Sequence, residues 1–166
     1  MNIYLTGMMG SGKSVTGKAL AALTGYQFTD IDSEIEKQEG RPIVEIFATD
    51  GESYFRDVET AVLKKISAEA RRVFATGGGI ILRDENVDLM KRTGKIILLE
   101  ATLPVLWERV CRNRDRPLLN TPDPMDALEG IYEVRKARYR ATCDHAVMTD
   151  GLTAEATAQQ IKALMK

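Results

Sequence analysis

The sequence predicts an α/β fold of three layers, with a parallel sheet between two layers of helices. Two observations carry that expectation. Short apolar runs alternate with longer stretches of helical period along the whole chain, and strand–helix–strand alternation places successive strands parallel in one sheet. A glycine-rich turn, Gly7-Met8-Met9-Gly10-Ser11-Gly12-Lys13-Ser14, joins the first strand to the first helix. That is the end of the sheet where such folds bind ligands, beyond the carboxyl ends of the strands.

Each element has its own signal. Asn2 to Thr6 reads as the first strand. From Lys13 to Thr24 the chain has helical period, with Val15, Ala19, Ala22 and Leu23 on one face and Gly25 as the stop. Gln27 to Thr29 is a short second strand ending at Asp30-Ile31-Asp32. Ser33 and Glu36 have capping-box spacing, so the next helix is expected just after Asp32. Residues 42–49 read as a short helix, and a longer one follows through Val58, Ala61, Val62 and Ile66. Arg72 to Thr76 is a third strand, leading into Gly77-Gly78-Gly79. Lys95 to Leu99 is nearly all apolar, as suits a parallel strand covered on both faces. Helices are expected at 103–112 and 124–141, a strand from Ala146 to Met148, and a last helix with Ala154, Ala158, Ile161 and Met165 on one stripe.

Composition narrows the function classes. The chain has 166 residues, 44% hydrophobic and 28% charged, with no repeat or linker, which fits one domain over 1–166. A net charge of -1 gives no global basic signature for nucleic acid or anionic membrane. No apolar run approaches the roughly 20 residues needed to span a bilayer. Met1 passes directly into an apolar strand without signal-peptide features. Cys111, Cys143 and the single His145 are too few and too scattered for a structural zinc site or a disulfide framework. The expectation is a cytoplasmic protein with neither nucleic-acid nor membrane partners.

Gly-x-x-x-x-Gly-Lys-Ser is a phosphate-binding pattern. Its glycines let successive backbone N–H groups curl around an anion, and the following helix adds its unpaired amides and positive dipole end. Lys13 would reach the β- and γ-phosphates, and the Ser14 hydroxyl would ligate Mg²⁺. An acceptor site is needed to turn nucleotide binding into a kinase. Asp30 and Asp32, two apart at a strand end, point to one side if extended. Taken singly they are equally well helix-start acids. Gly77–Gly79 is either a flexible turn or a place where substrate meets bare amides, and Arg56 alone reads more readily as a surface residue.

Taken together, Gly7–Ser14, Asp30-Ile31-Asp32, Phe55-Arg56-x-x-Glu59, Gly77-Gly78-Gly79, Arg116-Pro117-Leu118-Leu119 and Arg135-x-x-x-Tyr139 resemble the shikimate kinase family. Order and spacing are similar from residue 2 to about residue 149. The resemblance implies a P-loop kinase fold of the nucleoside-monophosphate-kinase type, with five parallel strands in the order 2-3-1-4-5. It implies transfer of the ATP γ-phosphoryl group to the 3-hydroxyl of shikimate, in aromatic amino-acid biosynthesis, with ATP and Mg²⁺ as cofactors; a monomer is expected, although the sequence itself does not give the oligomeric state. Gly10, Ser11, Gly12, Lys13, Ser14 and Val15 then hold the nucleotide phosphates, and Arg109 packs against adenine. Ser14 and Asp30 form the Mg²⁺ side, Asp30 through water. Lys13, Asp32 and Arg116 are the catalytic group. Asp32 also holds the acceptor hydroxyls, Arg56 and Arg135 bind the carboxylate, and Gly77, Gly78 and Gly79 face the substrate. A shikimate-binding segment is implied at about 32–60 and a lid at about 111–125, carrying Arg116.

Three departures from the family pattern stand out. Ala137-Arg138 replaces a Pro-Leu before the tyrosine, which makes Arg138 a rival to Arg135. Val15 replaces a second hydroxyl residue, and Asp150-Gly151-Leu152 brings no arginine to the adenine side. Rival readings are another small-molecule kinase of this fold, such as a gluconate kinase, or a nucleotide-binding regulatory module without catalysis. Retention of Lys13, Ser14, Asp30, Asp32 and Arg116 speaks against the second.

Overall fold

The computed structural model describes residues 1–112 and 116–165. Five strands, β1 (Asn2–Thr6), β2 (Gln27–Asp30), β3 (Arg72–Ala75), β4 (Gly94–Glu100) and β5 (His145–Met148), form one parallel sheet in the order β2-β3-β1-β4-β5. Helices α1 (Lys13–Thr24), α2 (Ile31–Glu39), α3 (Ile43–Ile66), α4 (Asp84–Thr93), α5 (Leu103–Val110), α6 (Pro124–Thr142) and α7 (Ala154–Leu164) cover it. The order is the expected one.

Alternation along the strands sorts the core into two layers, because successive side chains point to opposite faces. Ile3, Leu5, Val73, Ile97 and Leu99 meet Leu20 of α1 and Ala158 and Ile161 of α7. Tyr4, Phe74, Ile96 and Leu98 meet α2 to α6 on the other face. Tyr4 and Phe74 stack there with centroids 4.9 Å apart, and the Tyr4 hydroxyl is paired with Thr93 Oγ1 at 2.7 Å. Both faces of the central strands are therefore buried, which explains their continuous apolar character. No helix among the described residues is long and apolar enough to cross a membrane.

Four details differ from the sequence reading. Helix α2 begins at Ile31, with Asp30 as N-cap: its Oδ1 accepts from the amides of Asp32 (3.1 Å) and Ser33 (3.4 Å). The Ser33–Glu36 capping box does not form. Glu36 Oε1 accepts instead from Ile43 N at 2.9 Å, fastening the start of α3 to α2. The 42–49 and later helices run together as α3 across a kink at Gly51 (φ 82°, ψ 175°). On α1 the buried side is Thr16, Gly17, Leu20 and Ala21, whereas Val15 and Ala22 are exposed. A 3₁₀ turn at Ile80–Leu82 and α4 fill the stretch before β4, where the sequence had suggested no element.

The register sets up the site. Asp30 pairs beside Ala75, and Leu5 lies between Ala75 and Ile97. The loops after β1, β2 and β3 therefore leave the sheet side by side at its carboxyl edge.

Candidate active site

The loop after β1 forms a cradle at the N-terminus of α1. Gly12 caps the helix with φ 93°, a left-handed conformation that a side chain would resist. Ser11 N bonds back to Met8 O at 3.1 Å, closing the curl. Lys13 folds over it, its Nζ donating to the carbonyls of Gly7 and Met8, both at 2.9 Å. Burial, with Arg116 nearby, lowers the Lys13 pKa to about 8 against the opposing pull of Asp32 and Asp30. Ser14 Oγ donates to Asp30 Oδ2 at 2.6 Å. This pairing of a hydroxyl and a carboxylate fits a hard cation that draws its other ligands from phosphate oxygens and water, as Mg²⁺ does. Among the described residues no group of three or more His, Cys, Asp or Glu side chains is arranged to hold a metal ion.

A cavity of about 740 Å³ runs from this cradle to the α2–α3 corner, walled by Gly10, Gly12, Lys13, Ser14, Val15, Asp30, Asp32, Arg109 and Arg116 among others. It adjoins a narrower chamber of about 80 Å³, with which it shares Asp32, Ile43, Gly78, Arg116 and Pro117. Arg56, Gly77, Gly78, Gly79 and Arg135 line that chamber together with the apolar side chains of Met9, Ile43, Phe47, Phe55 and Leu118. One end thus suits phosphates. The other offers two guanidiniums, a carboxylate and hydrocarbon.

The charges in the chamber are held in place from beneath. Arg56 is 8% exposed, and its Nη1 donates to Glu59 Oε2 at 2.9 Å, one turn along α3. Glu59 is fully buried, and burial raises its pKa despite Arg56. Arg56 Nη2 also reaches the half-exposed Glu52 at 3.2 Å. Asp32 stands on the first turn of α2. Burial first, and then Asp30, raise its pKa against Lys13 and Arg116. Asp32 Oδ1, Glu59 Oε1, Arg56 Nε and Arg116 Nε are all buried without a hydrogen-bond partner among the described residues. Such orphaned polar atoms, clustered in one place, mark where a polar ligand is received.

The glycine run earns its composition through close approach. A Cβ on Gly77 would lie 2.6 Å from Glu59 Oε1, and one on Gly79 would overlap the Arg56 guanidinium. Arg135, 6% exposed on α6, lies against Gly78. Its rival Arg138 points elsewhere, donating to Ile81 O at 2.7 Å and pairing with Asp84. One turn after Arg135, the buried Tyr139 hydroxyl donates to Gly78 O. Burial pushes its pKa up to about 12, so it stays a donor throughout the neutral range.

The structure brings Lys13, Ser14, Asp30, Asp32, Arg56, Gly77–Gly79, Arg116 and Arg135 to one crevice, as the sequence suggested. Asp30 reaches it from the extended last residue of β2, which also caps α2, whereas Asp32 reaches it from the first turn of α2 rather than from an extended strand. Arg109 lies at the outer rim, donating to Gly10 O (3.0 Å) and Thr149 Oγ1 (3.3 Å). Asp150 is engaged by Thr102 N and Oγ1. Within the expected lid, residues 113–115 lie outside the described residues, while Arg116 and Pro117 line both spaces. Sequence reasoning gave no role to Glu59, Tyr139 or the apolar side chains of the chamber. The i,i+3 and i,i+4 spacings Arg56–Glu59 and Arg135–Tyr139 were the available signals.

A phosphate cradle facing a chamber of acid and arginine on this sheet defines a P-loop kinase acting on a small anionic acceptor. A family model described as shikimate kinase matches residues 9–166. A shikimate kinase of Persephonella marina is 43% identical over 150 residues, covering 90% of each chain. Another, of Thermodesulfovibrio yellowstonii, is 42% identical over 160 residues, covering 96% of this chain and 92% of the relative. A solved shikimate kinase from Acinetobacter baumannii, in complex with shikimate, superposes with a TM-score of 0.96 at 36% identity, covering 99% of this chain and 92% of that one. The chain belongs to the shikimate kinase family, and its activity is that of an ATP-dependent kinase of the shikimate pathway. A deoxyadenosine kinase from M. mycoides, with a TM-score of 0.61 at 17% identity, shares the fold alone.

Proposed function

We propose that this crevice transfers the γ-phosphoryl group of ATP to the 3-hydroxyl of shikimate, giving ADP and shikimate 3-phosphate, with the residue roles set out here. The observation that carries the reading is the two-ended space itself. Lys13 and Ser14 stand at a helix N-terminus on one side, and Asp32, Arg56 and Arg135 converge on the other, with Arg116 on the wall between.

Gly10, Ser11, Gly12, Lys13, Ser14 and Val15 surround the phosphates, and Arg109 with the turn at residues 149–152 forms the adenine platform. Lys13 exchanges its two carbonyl partners for β- and γ-oxygens, so that its ammonium meets charged rather than neutral acceptors. Ser14 and Asp30, the latter through water, would hold Mg²⁺, which when bound neutralises charge on the β- and γ-phosphates. Arg56 and Arg135 take the substrate carboxylate, for which a guanidinium fork is the matching geometry. The apolar side chains of the chamber seat the ring. Asp32 Oδ1 accepts from the acceptor hydroxyl and, with its pKa raised, takes the proton as the new P–O bond forms. Arg116 neutralises charge on the transferring group. Phosphoryl transfer needs mainly such positioning and neutralisation.

The same reading has the chain working as one domain and as a monomer in the cytoplasm, in keeping with free thiols at Cys111 and Cys143 and a crevice assembled within one chain. ADP release with Mg-ATP, comparing shikimate, quinate and gluconate, tests the acceptor. Release that depends on shikimate supports the reading. Release indifferent to shikimate, or faster with gluconate, overturns it.

A further inference from the structure

We propose that Tyr139 is a positioning residue that fixes the direction of the Gly78–Gly79 peptide, and thereby aims the Gly79 N–H at the carboxylate of the bound acid. The inference rests on the shikimate reading above.

The loop does not fix the direction of this peptide by itself. Thr76 anchors its start, with N and Oγ1 both bonded to Leu5 O at 3.1 and 2.9 Å. Asn86 Nδ2 anchors its end, donating to Ile80 O at 3.1 Å. Within it, Gly77 O accepts from Ile80 N at 3.2 Å and Gly79 O from Leu82 N at 3.0 Å. Those are the loop's own turns. The middle carbonyl, Gly78 O, has no such partner. Its peptide is flanked by glycine on both sides, so sterics give little preference between one orientation and its flip. Glycine is nonetheless required at 79, because the Arg56 guanidinium occupies the place of a side chain. Close approach to Arg56 thus costs the loop its local directional control.

Tyr139 supplies that control from α6. Its hydroxyl donates to Gly78 O, and its ring is 3% exposed and packed in the core. No peptide bond here is cis. In a trans unit the carbonyl of one residue and the N–H of the next point in opposite directions. A Gly78 carbonyl held toward Tyr139 therefore turns the Gly79 N–H away from it. Gly79 lines the acceptor chamber beside Arg56. Neither Gly78 N–H nor Gly79 N–H meets a protein acceptor among the described residues. The neighbouring Arg56 and Arg135 make a carboxylate the acceptor this amide would meet.

Tyr139→Phe keeps the ring and removes the hydroxyl, which bonds Gly78 O and also meets the Arg135 guanidinium. Hydrogen exchange at the Gly79 amide of the variant with shikimate bound separates the two, since only loss of the Gly78 bond should abolish its protection. The expected result is a shikimate KM raised about five- to tenfold, with kcat and the KM for ATP within twofold of the wild type. A carboxylate-bound amide contributes equally to ground and transition states, hence the split. The discriminating substrate is the ring triol lacking the carboxylate, tested at high concentration. On it, variant and wild type should agree in kcat/KM within twofold. An equal penalty on both substrates, or none on shikimate, overturns the role of Tyr139. Should the variant not fold, the wild type still decides: saturating shikimate should slow hydrogen exchange at the Gly79 amide, and unchanged exchange there overturns the proposal. A wild type without shikimate-dependent ADP release would instead remove the functional reading, and this inference with it.

Discussion

Arg56→Ala separates what the buried ion pair does for the fold from what it does for the ligand. Arg56 is 8% exposed and Glu59 is fully buried, while its second partner Glu52 is half-exposed and screened by water. Removing the guanidinium strands a buried carboxylate, a change that costs about 3–5 kcal/mol. For a chain of this length each kcal/mol moves Tm by about 2–4 °C, so Tm at pH 8 should fall by about 6–20 °C. The pH dependence has a definite sign. Burial already raises the Glu59 pKa, and loss of Arg56 raises it further. A carboxyl raised in the folded state binds its proton more tightly there than when unfolded. Its favourable contribution is complete below the unfolded value of about 4.3 and is lost as pH climbs through the folded one. The variant's deficit should therefore shrink on going from pH 8 toward pH 5. Adding Glu59→Gln should recover much of it at pH 8, although the same change alone should destabilise the wild type. Binding behaves differently. Loss of a buried partner for the substrate carboxylate costs about 2–5 kcal/mol, or about 30-fold to several thousand-fold in shikimate KM. That loss should persist in the double variant. Calorimetry across pH and coupled ADP assays read the two effects. A double variant no more stable than Arg56→Ala, or a deficit that grows in acid, would refute the reasoning.

Three further outcomes follow from the same geometry. With the Lys13 pKa lowered to about 8, kcat/KM for ATP should decline as pH rises through about 8, and Lys13→Arg should lose that limb; a flat profile to pH 10 contradicts a buried charge-bearing Lys13. Asp32→Asn should reduce kcat by about 10²–10⁴-fold. Because burial raises the Asp32 pKa, the same variant should have a higher Tm than the wild type at pH 8, with the gain gone below about pH 4. Asp30→Ala removes a helix cap worth about 1 kcal/mol, and with it the partner of Ser14. Tm should drop by a few degrees and the Mg²⁺ concentration for half-maximal rate should rise; an unchanged Mg²⁺ requirement would place the metal elsewhere.

Much of the fold was legible because strong periodic signals and unambiguous stops coincide. The apolar run at Ile96–Leu99 admits little but a covered parallel strand, and Gly25 ends α1 in the left-handed conformation that its identity suggests. Misreadings arose where two local devices competed for the same residues. Asp30 and Ser33 are both good N-caps, and Asp30 prevails because its register beside Ala75 brings β2 to an end just there. On α1, Ala19 and Leu23 pack against the core as the periodicity suggests, but Val15 and Ala22 do not, because Gly17 and Thr16, weak hydrophobic signals, are pressed toward the sheet. A Cβ on Gly17 would lie 2.6 Å from the Phe28 ring. In the site, the residues that line the crevice belong to recognisable motifs. Residues that support them from behind, Glu59 and Tyr139, show only as helical spacing, which any packed helix also displays. Arg135 and Arg138 could not be separated by sequence, because the helical phase that turns one toward Gly78 and the other toward Asp84 depends on how α6 docks.

The two ends of the crevice differ in how far they are already satisfied. At the phosphate end Lys13 has two carbonyl partners and Ser14 has Asp30. At the acceptor end Asp32 Oδ1, Glu59 Oε1 and Arg56 Nε are buried without partners among the described residues. Apart from the buried Ser11 Oγ, which also lacks a partner among the described residues, the phosphate end holds hydrogen bonds that a ligand would have to replace. A ligand at the other end would meet groups whose desolvation is already complete. Asp30 joins the two. One of its oxygens holds the amides that start α2, on which Asp32 stands, and the other holds Ser14. Asp30 thus ties the Ser14 hydroxyl of the phosphate loop to the N-terminus of the helix that carries Asp32, so the Asp30→Ala variant should be felt at both ends of the crevice.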